Sequence, residues 1–227
     1  MGQHLFDLIR QGKTAEIADL VNAQPQVAYS RDAQGISALM LAVYTQQPVV
    51  RDFLLAHCGE LDVFEAAAVG DCARLQALIA RDAMQARAIS PDGWTPLHLA
   101  AAFSTAEAVT LLVEHGAHIH QVSHNPLRNQ PLHACVSLNQ SVATLSALVE
   151  AGADVNATQH GGFTPLIQAA AAGKREMAAI LLRSGANPAA RCDQGKAAID
   201  YARERAHRDI VELLEKHREL DQQLTIR

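Results

Sequence analysis

Apolar positions along this chain recur in short helical stripes, not in the alternation of a half-buried strand. The clearest stretch begins Thr95-Pro96-Leu97-His98-Leu99-Ala100-Ala101. After a brief break it continues through Leu111-Leu112-Val113 to Gly116. Near copies open with Gln130-Pro131-Leu132-His133-Ala134-Cys135 and Thr164-Pro165-Leu166-Ile167-Gln168-Ala169-Ala170. Weaker ones open with Ser37-Ala38-Leu39-Met40-Leu41-Ala42 and Ala197-Ala198-Ile199-Asp200-Tyr201-Ala202. The second stripe also repeats, as Leu148-Val149-Glu150-Ala151-Gly152 and as Leu181-Leu182-Arg183-Ser184-Gly185. Counted from Thr95, successive units begin 35, 34 and 33 residues apart. A fixed period of this size predicts stacked two-helix units, each burying its apolar face against its neighbours.

Each unit carries its own start and stop signals. Thr95 and Thr164 offer hydroxyls to cap a helix N-terminus. Pro96, Pro131 and Pro165 follow at the first helical position, where a missing N–H costs little. Gly12, Gly70 and Gly173 fall between paired helices, and Gly116, Gly152 and Gly185 end the second ones, where a left-handed residue is favoured. Polar stretches such as Ser90-Pro91-Asp92-Gly93 read as hairpins leading into the next unit. The last stripe, Ile210, Val211, Leu213 and Leu214 with Glu212, Glu215 and Lys216 facing outward, reads as a C-terminal cap.

The period and the Thr-Pro-Leu-His anchor resemble the ankyrin-repeat family, and the likeness covers essentially the whole chain. It implies an all-α repeat solenoid of about seven units, each a helix-turn-helix with a β-hairpin finger. We place the units near residues 3, 37, 61, 95, 130, 164 and 197, in a single domain 1–220 followed by a tail, 221–227. Unit three starts only 24 residues after unit two, so its hairpin is missing, replaced by Cys58-Gly59-Glu60, and a gap in the row of fingers is expected. The finger at 120–129 is longer than the others. These features resemble small free-standing ankyrin proteins of bacteria.

Composition narrows the function. The chain has 227 residues, 49% of them hydrophobic and only 4% aromatic, which suits a thin core of small side chains. The net charge of −5, with acidic and basic residues balanced over 201–227, supplies no phosphate-binding patch, and nucleic-acid binding is not expected. No apolar run reaches membrane-spanning length, and the N-terminus lacks a charged-then-apolar signal pattern. Cys58, Cys72, Cys135 and Cys192 are widely spaced, which suits reduced thiols in the cytoplasm. Phosphate-loop, dinucleotide, nucleophile-elbow and zincin motifs are missing, so no catalytic activity and no cofactor are expected.

Among chemical candidates, His118, His120 and His124 would form a metal site if the H-x-H pair lay on an extended strand. The alternative is that they are ordinary polar residues of a finger. His98 and His133 are equivalent positions; the resemblance implies that each imidazole ties adjacent turns together. His133 and Cys135 stand two apart on one helix and point in different directions, a poor nucleophile pair. Cys192 is expected to be exposed.

The resemblance implies that a protein partner lies against a concave face of finger tips and open sides of the first helices. Carried onto this sequence, that face comprises Arg31, Gln34, Ile36 and Tyr44, then Ile89, Asp92, Trp94 and Phe103. It continues with Leu127, Arg128, Asn129 and Leu138, and ends with His160, Phe163, Arg191 and Lys196. Trp94 and Phe163 each precede a Thr-Pro-Leu anchor and are expected to be partly accessible. Either they grip the partner or they cover the neighbouring unit. The function expected is a monomeric protein-interaction module acting as adaptor, scaffold or inhibitor. The alternative is metal or small-molecule binding at the histidine finger.

Overall fold

The computed structural model describes residues 2–138 and 141–225, with side chains through Glu219. Among the described residues the chain forms an all-helical solenoid of seven helix pairs. They are α1 (Gly2–Arg10) with α2 (Thr14–Ala23), α3 (Ala38–Tyr44) with α4 (Pro48–His57), and α5 (Val63–Val69) with α6 (Cys72–Arg81). The array continues with α7 (Pro96–Phe103) and α8 (Ala106–Glu114), then α9 (Pro131–Leu138) and α10 (Val142–Glu150). It ends with α11 (Pro165–Ala171) and α12 (Arg175–Arg183), and α13 (Ala198–Glu204) with α14 (Arg208–Thr225). The last helix runs through most of the segment read as a tail. Among the described residues no helix is long and apolar enough to cross a membrane.

The helices begin where their caps stand. Ser37, Thr95 and Thr164 each accept the backbone N–H three residues on, from Met40, His98 and Ile167. In unit three Asp62 accepts from both Phe64 and Glu65, while the Glu65 carboxylate accepts the Asp62 N–H at 3.0 Å, a reciprocal capping box. Five residues past these four positions, and past Gln130 and Ala197, lies a small side chain with no exposure: Ala42, Ala67, Ala100, Cys135, Ala169 and Ala202. This column lets the first helices pack closely side by side. Larger side chains, among them Leu75, Leu112, Leu145 and Leu181, fill the space toward the second helices.

The buried histidines tie unit to unit. His98 Nε2 donates to the Asn129 carbonyl at 3.0 Å, while its Nδ1 accepts from the Thr95 N–H. His133 repeats the pattern, with Nε2 against the Ala157 carbonyl at 3.1 Å and Nδ1 facing the Gln130 N–H. Both imidazoles are fully buried. Desolvation holds each of them down at about 4, and a proton on Nδ1 would oppose a backbone donor.

The fingers are short antiparallel turns. Among the described residues their ladder pairing consists of single bridges, Arg31 with Ser37 and Arg191 with Ala197. Each finger's arms also bond across the turn, as Ser90 N–H does to Trp94 at 2.8 Å and Gln159 N–H to Phe163 at 3.0 Å, and further backbone groups bond to the next finger. His124 N–H donates to Gly93 at 2.8 Å, His160 N–H to Leu127 at 3.0 Å, and Asp193 N–H to Gly161 at 2.9 Å. Gly93, with φ of +84°, sits so close that a Cβ would lie 2.6 Å from the His124 carbonyl carbon.

Unit three lacks its finger: α4 ends at His57 and α5 starts at Val63. The expected gap is nonetheless closed. A Cβ on Gly35, at the tip before α3, would lie 3.3 Å from the Pro91 ring, so the fingers on either side of the missing one touch. Tyr29 folds back over the shortened link, where a Cβ on Gly59 would come within 2.9 Å of its ring.

The buried histidines set a pH dependence. The unfolded chain protonates them near the ordinary 6.5, and the folded chain only near 4, so unfolding takes up protons between those values. Their stabilisation is complete above pH 6.5 and is lost as pH falls toward 4, on the order of 3 kcal/mol for each histidine. Urea midpoints are expected to drop between pH 7 and pH 5. The double variant His98→Gln/His133→Gln should be weaker at pH 7 and show a flatter slope; an unchanged slope would refute the assignment.

Candidate functional site

The finger tips and the open sides of the first helices form one continuous surface, and the structure sorts the candidate residues on it into three groups. In the first, Arg31 is exposed but not idle. Its guanidinium donates to the Gly35 carbonyl at 3.1 Å and pairs with Asp62 at 2.8 Å and Glu65 at 3.5 Å. It therefore reaches across to the cap of the unit that lacks a finger. Gln34 stands free in solvent at the tip beside it.

The second group centres on Asp92. Tyr44 donates its hydroxyl to the Asp92 carboxylate at 2.6 Å, Ser90 donates to the other oxygen, and Asn125 donates to the Asp92 backbone carbonyl at 3.2 Å. Burial and then the Asp92 carboxylate push the Tyr44 phenol far above its ordinary range, so it remains a donor. Phe103 joins the Tyr44 ring at 5.6 Å and stacks on Trp94 at 6.2 Å. Trp94 itself is buried, with 8% of its surface exposed, against the expectation that it would be accessible. Its indole is covered by Phe103 and lies 5.7 Å from the His98 ring. Asn129 is likewise buried, because its backbone closes the long finger onto Ser123.

The third group spans units five to seven. Arg128 and His160 are exposed; Arg128 holds a left-handed φ of 45° at the end of its turn. Phe163 is half-buried, 5.6 Å from the Tyr201 ring. Lys196 pairs with Glu204 at 2.7 Å and lies 5.5 Å above Tyr201, and Arg191 donates to the Gly195 carbonyl at 2.5 Å. Ile89 and Leu127 leave large apolar surface in solvent, while Ile36 and Leu138 are half-buried.

Chemical candidates fare differently. Cys192 is buried, not exposed, with its sulfur 3.4 Å from the Tyr201 hydroxyl. Desolvation raises this thiol, but hydrogen bonds from Tyr201 and nearby backbone outweigh it together, and the net direction is downward. Cys135 occupies a place in the small-residue column, and burial pushes its thiol up to about 12. It is packing, not a nucleophile.

The histidine finger does not assemble a metal site. Residues 118–121 form a turn closed by the Gln121 N–H on the His118 carbonyl at 3.1 Å, so the extended strand that H-x-H requires is not there. His124 is tied by its backbone to Gly93 of the previous finger. Among the described residues no three His, Cys, Asp or Glu side chains gather as ligands.

Sequence reasoning missed the Tyr44–Asp92 bond, which joins positions 48 apart. The 24-residue step between units two and three was its only signal, since it removes what would separate these residues. It also missed the Cys192–Tyr201 contact, for which the sequence carries no marker.

The model of the family described as ankyrin repeats (3 copies) matches residues 63–159 and 132–225. The B-cell lymphoma 3 protein homolog of Mus musculus is 33% identical over 120 residues, 53% of this chain and 26% of that protein. The neurogenic locus notch homolog protein 1 of Mus musculus is 37% identical over 110 residues, 48% of this chain and 4% of that protein. The putative E3 ubiquitin-protein ligase XBAT34 of Arabidopsis thaliana is 31% identical over 116 residues, 50% of this chain and 30% of that protein. The chain thus matches less than a third of the length of each of these relatives.

The Tyr44–Asp92 contact is open to direct measurement. A charge-assisted bond of this kind is worth about 1.5–3 kcal/mol. Tyr44→Phe and Asp92→Ala should each lower the urea midpoint. Their double-mutant cycle should return an interaction energy above about 0.5 kcal/mol, and strict additivity would mean that the bond does not form.

Proposed function

The chain belongs to the ankyrin-repeat family, and on that premise we propose that it is a protein-interaction module, an adaptor, scaffold or inhibitor that holds a partner along its concave surface. The observation that carries this reading is the finger-to-finger bonding. Backbone hydrogen bonds from His124 to Gly93, His160 to Leu127 and Asp193 to Gly161 join successive tips. A surface held rigid before contact loses little conformational freedom on binding. Ankyrin repeats in general mediate contacts between proteins.

In this reading Arg31, Gln34, Arg128, His160, Arg191 and Lys196 meet the partner directly from the tips. Tyr44, Asp92, Trp94, Phe103 and Phe163 hold the platform beneath them, with the ring edges of Tyr44, Phe103 and Phe163 reaching the partner. Binding in place of catalysis is supported by Cys135, which burial keeps protonated, and by His98 and His133, which spend both ring nitrogens on backbone groups. A bacterial, cytoplasmic and monomeric protein is also part of the proposal. Its supports are the missing hairpin and the four cysteines without disulfides; the relatives named above are from mouse and a plant.

Capture from lysate of the source cells tests the reading. We compare wild type with Gln34→Ala/Arg128→Ala/His160→Ala, whose side chains are exposed and whose loss leaves the helices intact. A partner retained by wild type and weakened about tenfold or more by the triple variant is the expected result. Equal retention by both places the binding surface elsewhere, and light scattering at more than the 24.4 kDa of one chain refutes the monomer.

A further inference from the structure

The pinch between the fingers of units two and four has a counterpart at the far ends of the same helices. There, at the C-terminal ends of α3, α5 and α7, a notch of about 300 Å³ opens. Ala68 and Ala102 line its interior with small side chains, Val43 and Phe103 stand on either side, and Leu138 of α9 contributes a further apolar wall. The turn between α3 and α4 supplies Gln46 and Gln47, and the start of α4 supplies Pro48 and Arg51. Among the described residues that line the notch, Arg51 is the one that carries a charge.

Size and chemistry restrict what fits. A volume at the small end of ligand pockets accepts one or two apolar side chains, not a large cofactor. Its walls divide about evenly between apolar carbons and polar groups, and Gln46, Gln47 and Arg51 bring polar side chains to it. Gln47 donates its amide to the Ile9 carbonyl at 2.6 Å and to Thr45, which leaves its Oε1 buried without a partner beside the notch. Arg51 pairs at 2.7 Å with Asp52, the next residue on the same helix, with 37% and 63% of the two side chains exposed. An exposed pair of neighbours holds its cation weakly, and a planar guanidinium favours a two-pronged grip on a carboxylate. The chain as a whole carries −5, so it repels an acidic segment in general and attracts one locally at this cation.

We propose that this notch anchors a partner through one leucine-sized apolar side chain, with an aspartate or glutamate of the same segment paired to Arg51. The proposal rests on the binding-module reading and adds to it a place and a partner chemistry. The apolar side chain displaces water from an alanine-lined recess, and the carboxylate sets the direction in which the segment crosses the first helices.

Random twelve-residue peptides displayed on phage and selected against the full chain provide the test. Selected sequences should be enriched in a bulky apolar residue within three positions of Asp or Glu. As synthetic peptides they should bind Arg51→Glu about fivefold or more weakly than wild type, with circular dichroism confirming that the variant is folded. Their addition should also shift the Leu138 methyl resonances. Selected peptides without an acidic preference, or equal binding to Arg51→Glu, overturn the proposal. Peptides lost by Gln34→Ala/Arg128→Ala/His160→Ala but not by Arg51→Glu overturn the notch while supporting the binding-module reading. Failure to select any peptide also overturns the notch, and capture of a whole partner then decides the module reading separately.

Discussion

The first helices of this array pack so closely that each can spare only a methyl group, or a thiol, at the point of contact. Ala42, Ala67, Ala100, Cys135, Ala169 and Ala202 meet this demand in turn. Much else in the molecule follows from it. Small contacts bury little apolar area apiece, so no unit gains enough to stand alone and stability must come from stacking. Larger side chains are displaced to the second helices. The close approach also brings the start of each first helix within reach of the next finger, which allows single side chains to bridge units.

How that bridge is made varies along the array. Units four and five use imidazoles that donate to a carbonyl of the next unit. Unit three uses Glu65, which closes its own cap and receives Arg31 from the preceding finger. In unit six Ile167 stands at the corresponding place and contributes packing alone. In unit seven Asp200 turns back to the Ala197 N–H at 2.9 Å. The bridges that reach into the next unit stand where fingers must be held in register, and a binding surface depends on that register more than on the strength of any one bond.

Much of this was legible in the residues. The Thr-Pro-Leu anchors, spaced by 33 to 35, located the helix pairs because a cap and a proline can serve only at a helix start. The tie made by His98 was legible through the family likeness. Trp94 was misjudged because its exposure is decided by Phe103, which is not local to its position. Cys192 was misjudged for the same reason: Tyr201 comes from the following helix. The fingers were read as hairpins from their turn residues, and their arms do bond across the turn, Ser90 to Trp94 and Cys192 to Lys196 among them. The three finger histidines looked like ligands only so long as their backbone was taken to be extended.

The absent finger changes the arithmetic of the array. Solenoids are commonly treated as chains in which each link senses only the one before and the one after. Here a phenol from the second link reaches the fourth at 2.6 Å, over a third that has no finger of its own. Links two and four are thereby coupled directly, so fraying that opens the second link must also release a bond to the fourth.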